Sequence, residues 1–240
     1  GESDLLVTLF SRQHGKVRGV ARSARRMRSR FGGALEVFTL GELIFFDGGR
    51  GDLAQIDHFD IVRPFARLRD DLQRLGQAAW VVECVGRLTA ERDPHPAVYG
   101  LLVRALATIE AGGAPARAAA AFGVRCVDAL GHRLRLDRCV ACGLRAGPGG
   151  GAALDVANGG VVCRRCAAAT PGALVVSPSG LKALSWLRAC SWAEAMAAAL
   201  PAVESELRQV LDAHVAHLSG HSARASRFLR EVDKLAGDVR

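Results

Sequence analysis

No run of 18 or more apolar residues occurs in the 240-residue chain, and the opening GESDLLVTLF lacks the basic, apolar and small-residue succession of a secretory signal. A membrane span and an export leader are therefore not expected; a soluble, cytosolic protein is. Enzymatic signatures are missing as well. There is no G-x-x-x-x-G-K-[ST] loop for a nucleoside triphosphate, no G-x-S-x-G elbow and no H-E-x-x-H pair. No histidine is followed by x-E, which a zinc deaminase site requires.

Lysine is scarce, with 3 residues against 29 arginines, a bias that genome composition alone can produce. Acid is scarce in one place only. From Leu5 to Leu35 the chain has no Asp or Glu but eight cations: Arg12, Lys16, Arg18, Arg22, Arg25, Arg26, Arg28 and Arg30. The other 24 cations equal the 24 acids in number, so the net charge of +8 is local. Compositional bias would leave acids scattered here as elsewhere, whereas a polyanion site excludes them. Phosphate binding is the expectation for this segment, against the alternative of an ordinary solvated surface.

The same region has the pattern of a small barrel. LLVTLF and KVRGVA are β-prone runs split by SRQHG, whose Gly15 can supply the positive φ of a hairpin turn. EVFTLGELIFF and LAQIDHFDIV are two more, split by DGGRGD, which reads as a turn rather than a phosphate cradle. Four or five strands in about sixty residues predict a closed or Greek-key barrel. The run ARSARRMRSRFGG then falls between strands, where a loop can present guanidinium forks to successive phosphates. Phe31 beside it could stack on a base, although an aromatic at a strand entrance is more often core.

Past Pro64 the apolar period lengthens. Leu68 to Leu88 fits one helix, Val98 to Ile109 a second, and APARAAAAFGVRCVDALG a third. Ser177 with Pro178 marks a helix start, and PAVESELRQVLDAHVAHLSG opens on a proline and closes on Gly220. His214, His217 and His221 read as a partly solvated helical face rather than a metal site.

Of seven cysteines, Cys84, Cys126 and Cys190 sit singly in apolar helical contexts and read as small buried hydrophobes. The other four are paired: Cys139 and Cys142, twenty residues, then Cys163 and Cys166. In a reducing compartment two C-x-x-C knuckles at this spacing predict four thiolates around one ion, zinc first and iron as its rival. Four thiolates leave no open position for water, so the metal is expected to be structural. The insert AGPGGGAALDVANGG has too little apolar surface to fold unaided, and metal binding of about 10 kcal/mol is expected to fold it.

Three stretches together resemble one family. GESDLLVTLFSRQHGKVRGVARSARRMRSRFGGALEVF is similar to the opening of the RecO family of bacterial recombination and repair proteins. LDRCVACG with GGVVCRRC resembles that family's zinc module, and HLSGHSARASRFLRE its closing stretch. The resemblance implies a multidomain α+β protein. Its parts are an N-terminal OB-fold β-barrel (1–63), a mainly helical domain (64–136 and 177–240) and an inserted four-cysteine zinc module (137–176). Family members carry a strand before G-E-x-D, so for a sequence that starts at Gly1 the resemblance leaves two alternatives, a barrel lacking its first strand or a truncated sequence. The implied activity is not enzymatic. It is binding of single- and double-stranded DNA, annealing, and help in loading RecA onto single strands coated by single-strand-binding protein (SSB). RecR and the acidic C-terminal tail of SSB are the implied partners, and a cytoplasmic, nucleoid-associated location follows.

The segment cations become the expected DNA contacts, with Arg22, Arg25, Arg26, Arg28 and Arg30 on phosphates and Lys16 and Arg18 in support. A second reading is a protein-protein adaptor. Arg224, Arg227, Arg230 and Lys234 recur at helical spacing and could receive an acidic peptide, although a solvated face is the better reading of such a stripe. A third, a zinc-dependent nucleic-acid enzyme, predicts turnover abolished by chelation.

Overall fold

The computed structural model describes residues 2–47, 53–145 and 152–238; residues 48–52, where a turn is expected from the sequence, and the glycine-rich stretch 146–151 lie outside the described residues. Four strands open the fold: β1 (Leu5–Ser11), β2 (Gly15–Ala21), β3 (Leu40–Phe46) and β4 (Ala54–Arg63), in the sheet order β1-β2-β4-β3. The β1–β2 hairpin is antiparallel, with Leu5 opposite Ala21 and Ser11 opposite Gly15. β2 runs parallel to β4, and β4 pairs antiparallel with β3. Alternation along β2 buries Val17, Gly19 and Ala21 and turns Lys16, Arg18 and Val20 outward. Ala21, Ile56 and Phe59 then form a small core with Phe31 and Ala34 from the β2–β3 loop.

The expected closed barrel is not formed. The OB-fold-like sheet stays open, with β1 and β3 as its edges. Phe38 stands at φ 66, outside the strand region, so EVFT does not extend β3 upstream and the strand begins at Leu40. The β2–β4 seam is only Gly19–Ala21 against Ala54–Ile56. Four strands joined by one short seam do not bring the edges together.

The sheet abuts the helical body at Gly15. This residue has φ 62, and a Cβ on it would lie 2.1 Å from the carbonyl oxygen of Asp93, so only glycine allows the hairpin turn so close. A 3₁₀ turn (Ala66–Arg69) leads into α1 (Leu72–Leu88), whose first turn is capped by the Asp71 carboxylate on Arg74 N–H at 2.8 Å. α2 (Pro96–Ala111) and α3 (Pro115–Ala129) follow, each with proline in its first turn.

Between α3 and the later helices lies a small module. It holds β5 (Ala152–Asp155), β6 (Gly160–Val162), the short α4 (Arg164–Ala167) and β7 (Leu174–Val176), with sheet order β6-β5-β7. Leu154, Val161 and Val176 enter the main core, while Ala153 and Val162 pack on Cys139 from the opposite face. The described half of the insert is therefore anchored by apolar burial as well as by the cysteines, which its composition did not suggest.

The chain continues through α5 (Pro178–Ala189), α6 (Trp192–Ala197), α7 (Pro201–Ser219) and α8 (Arg224–Asp238). Ser177 caps α5 through Gly180 N–H at 2.9 Å, and Gly220 at φ 77 ends α7. α6 had no periodic signal, but its start is a reciprocal cap: the Ser191 hydroxyl accepts from Glu194 N–H, and the Glu194 carboxylate from Ser191 N–H at 2.7 Å. Glu83 of α1 accepts the N–H groups of Arg224 and Ala225, each at 2.9 Å, and so caps α8. Burial works to raise Glu83, but these donors and Arg87 outweigh it and hold the carboxyl below its usual range. Trp80, Phe122, Leu184, Leu207, Leu211 and Leu229 fill one core shared by helices from both sides of the module. Among the described residues no helix is long and apolar enough to cross a membrane.

Candidate nucleic-acid interface and metal centre

The four module cysteines converge. The sulfurs of Cys139, Cys142, Cys163 and Cys166 all lie within 4.8 Å of one another, and Cys142 and Cys163 are 3.8 Å apart. Metal–sulfur bonds of about 2.3 Å in a tetrahedron require sulfur–sulfur edges near ~3.8 Å, so the cluster fits one ion. Gly143, at φ 76, closes the first knuckle by donating its N–H to the Cys139 carbonyl at 2.9 Å. The first turn of α4 closes the second, Ala167 N–H donating to the Cys163 carbonyl at 2.8 Å.

The electrostatics fit a cation too. Burial works to raise the Cys139 thiol, yet the N–H groups of Cys163, Cys142 and Ala141 bring it down to about 6. The N–H of Cys166 likewise lowers Cys163. Cys166 is pushed up to about 12, first by its contact with the Cys163 sulfur. Four sulfurs this close do not ionise together unless a cation stands among them. The single cysteines differ: Cys84 and Cys126 are buried, and burial raises both thiols, Cys126 to about 12. Cys190 is only half-buried and receives Arg125 on its carbonyl at 2.8 Å.

The β2–β3 loop carries the arginine run and is tied down around it. Ser23, at φ 57, donates its N–H to the Asp4 carboxylate at 2.8 Å. That N–H, foremost, holds Asp4 below the usual carboxyl range. Phe31 and Ala34 anchor the loop in the sheet core, and Arg69 pairs with Glu36 at 3.2 Å on its far side. The stretch between projects outward, with Met27 fully exposed. The role of Asp4, just before the acid-free segment, was not read from the sequence; its place in G-E-x-D was the available signal.

The expected contacts separate into groups. Arg22, Arg25, Arg26 and Arg28 are exposed and form no ion pair within 4 Å among the described residues, although Arg22 feels the Asp4 charge. Arg30 pairs with Asp57 at 3.3 Å and lies over the Phe31 ring. Arg18 pairs with Glu91 at 3.2 Å. Lys16 is placed elsewhere: its ammonium donates to the carbonyls of Gly86 and Thr89 at the end of α1, the position that the helix dipole favours for a cation. Phe31 is 4 % exposed and belongs to the core. The most exposed aromatic among the described residues is Phe46, 59 % exposed. It lies across from Gln55, which lies across from Val20, which lies across from Leu6, a row across the outer face of the sheet in which Val20 stands two residues before Arg22.

Arg224, Arg227, Arg230 and Lys234 are exposed along one face of α8, whose other face buries Ala225, Leu229 and Val232. Of the three histidines, His217 and His221 are exposed, but His214 is not the expected solvated residue. It is 2 % exposed, with Nε2 2.9 Å from the His132 carbonyl, and burial lowers its pKa.

Comparison with known proteins gives a consistent result. The family model for the N-terminal part of recombination protein O matches residues 1–65, and the model for its C-terminal part matches residues 69–227. A DNA repair protein RecO from Anaeromyxobacter sp. (strain Fw109-5) is 40 % identical over 239 residues, covering 99 % of this chain and 93 % of the relative. The RecO of Myxococcus xanthus (strain DK1622) is 33 % identical over 238 residues, 97 % of this chain and 92 % of the relative. That of Geobacter sulfurreducens is 41 % identical over 167 residues, 69 % of this chain and 67 % of the relative.

Proposed function

The chain belongs to the RecO family of DNA repair proteins, and we propose that within that family it acts as a non-catalytic DNA-binding mediator of recombination. It binds single- and double-stranded DNA, anneals complementary strands, and assists RecA loading onto SSB-coated single strands together with RecR. It needs no nucleotide for this. One observation carries the reading: the loop of residues 22–30 presents Arg22, Arg25, Arg26 and Arg28 to solvent from an anchored, acid-free segment. A loop with fixed ends and free guanidinium groups matches a phosphate backbone without needing a sequence. Arg30 and Arg18 join only by giving up their carboxylate partners, and Lys16 supports the surface by fixing the sheet on α1. Phe46 offers an unstacked base a face on the outer side of the same sheet.

The four cysteines hold zinc as a closed structural site, since sulfur-only tetrahedra suit zinc and leave no position for water. Residues 1–63, 64–136 with 177–240, and 137–176 are the corresponding functional parts. The protein acts in the cytoplasm at the nucleoid. Annealing of complementary fluorescent oligonucleotides without nucleotide tests the reading. Rapid annealing by the parent and slow annealing by a triple variant, Arg25→Ala with Arg26→Ala and Arg28→Ala, is expected; equal rates would sink it.

The adaptor reading is favoured by one observation: the exposed cations Arg224, Arg227, Arg230 and Lys234 form no ion pair within 4 Å among the described residues. An acidic peptide such as the SSB tail fits that charge. Peptide binding that survives the loop substitutions and is lost with Arg227→Ala and Arg230→Ala would place partner capture on α8.

A further inference from the structure

The metal module carries a second concentration of arginine. Arg133, Arg135, Arg138, Arg145, Arg164 and Arg165 are all exposed. Only two acids lie among them, Asp137 and Asp155. Asp155 is buried and turned inward, accepting the N–H groups of Ala157 and Asn158 at 3.1 Å and the Asn158 amide at 2.7 Å. Asp137 stands 3.9 Å from Arg138.

The cysteines set where these arginines stand. Arg138 precedes Cys139, and Arg164 and Arg165 fill the gap between Cys163 and Cys166. Arg138 is paired with Arg145 in an antiparallel bridge. With the sulfurs within 4.8 Å of one another, four arginines are gathered around one point. Arg133 and Arg135 continue the surface along a groove of about 690 Å³ lined also by Leu136, Asp137 and Ser185 of α5.

Neutralising the metal site does not account for them. A divalent ion with four thiolates carries two negative charges, and the Cys139 sulfur already receives backbone N–H groups from Ala141, Cys142 and Cys163. Counting that cluster and both acids still leaves a positive excess, and it is on the exposed side. Six guanidinium groups at the surface with one exposed acid form a field that suits a polyanion.

We infer that the metal module is a second contact surface for a nucleic-acid phosphate backbone, distinct from the loop of residues 22–30. It rests on the reading of the protein as DNA-binding. The loop is anchored in the core of the N-terminal sheet, whereas Arg138, Arg164 and Arg165 adjoin the module cysteines in the chain, so the two surfaces belong to different parts of the fold. A molecule with both can hold two segments at once and raise their effective concentration for each other, which is what annealing requires of a protein that does no chemistry.

The test is duplex affinity as a function of salt for four proteins: the parent, the loop variant (Arg25→Ala, Arg26→Ala, Arg28→Ala), the module variant (Arg138→Gln, Arg164→Gln, Arg165→Gln) and the combination. Metal content and melting are measured alongside. The module variant should bind duplex roughly tenfold more weakly at low salt, with a log–log slope flatter by about 2 to 3. The loop variant should keep residual binding that the combination loses. Should the module variant shed metal, Arg133→Gln with Arg135→Gln in the groove, away from the cysteines, gives the same reading with a smaller change. Parental slope and affinity in a metal-replete module variant overturn the inference whatever the loop variant does. Loss of acidic-peptide binding with parental DNA binding overturns it as well. A parental slope in the loop variant overturns only the loop assignment.

Discussion

The ammonium of Lys16 lies 2.6 Å from the carbonyl oxygen of Thr89 and 2.8 Å from that of Gly86, so a strand of the sheet closes the last turn of α1. Arg92 N–H returns to the Lys16 carbonyl at 3.0 Å, and Gly15 admits the backbone of Asp93 beside it. Lys16→Met leaves two carbonyls without their charged donor. It should cost about 1–3 kcal/mol, a drop of roughly 2–4 °C in Tm per kcal/mol for a chain of this size. Calorimetry checks the loss, and the salt slope of DNA binding should stay parental. A slope lower by a full unit with unchanged melting would put Lys16 on a phosphate instead.

Among the described residues Arg25, Arg26 and Arg28 have no carboxylate within 4 Å, so each should count as a whole phosphate contact. Their joint replacement by alanine should flatten the duplex salt slope by about 2.7, at ~0.9 per phosphate. Arg30→Ala should do less, because its contact with Asp57 is already made in the free protein. Fluorescence anisotropy at a series of salt concentrations reads both. Equal effects at Arg30 and Arg28 would mean that the Asp57 pair opens on binding.

Periodicity located α1, α2 and α3 because their apolar faces feed one core, and α5 and α7 were located by the serine, proline or glycine at their ends. The cysteine spacing located the metal centre because two knuckles leave little conformational choice. The open sheet was not legible: whether EVFT joins β3 depends on the φ of Phe38, which no pattern of side chains reports. Nor was the fate of individual cations. Charge composition placed Lys16 and Arg28 in one class, and only the approach of α1 to β2 separates a helix-capping lysine from a free arginine. Phe31 and Phe46 were separated the same way, by which side of the sheet the chain returns to.

Phe46 should discriminate single strands from duplex. Its ring is open to solvent next to Gln55 on the outer face of the sheet, and only an unpaired base exposes a face to it. Phe46→Ala should weaken single-strand binding by about 1–3 kcal/mol, roughly 5- to 150-fold, while duplex binding stays within twofold. Phe31→Ala should act through stability, costing about 3–5 kcal/mol in the sheet core, with single-strand and duplex affinities falling together. Parallel titrations with a single strand and its duplex decide it. An equal loss on both by Phe46→Ala would make that residue part of the fold rather than of the interface.

Metal retention should depend on pH in a direction that the cysteines set. In the metal-free protein above pH of about 6, Cys139 is already a thiolate, and Cys163 is lowered as well. Cys166 still holds its proton, being pushed up to about 12. Binding must expel every remaining proton, so affinity rises with pH and falls with acid. Below about 6 Cys139 also takes up a proton, so more protons are released per ion and the fall steepens. A chelator titration from pH 8 to 5 should therefore show log affinity declining throughout, with a steeper limb below the break. Melting should follow it, because Cys139 packs on Ala153 and Val162, and their strands carry Leu154 and Val161 into the main core. Cys139→Ser should lower metal affinity, remove the break and lower Tm, with the share of DNA binding carried by the loop of residues 22–30 reduced only as far as folding is. Unchanged melting with abolished DNA binding in Cys139→Ser would mean that the metal orders the arginine surface itself rather than the fold beneath it.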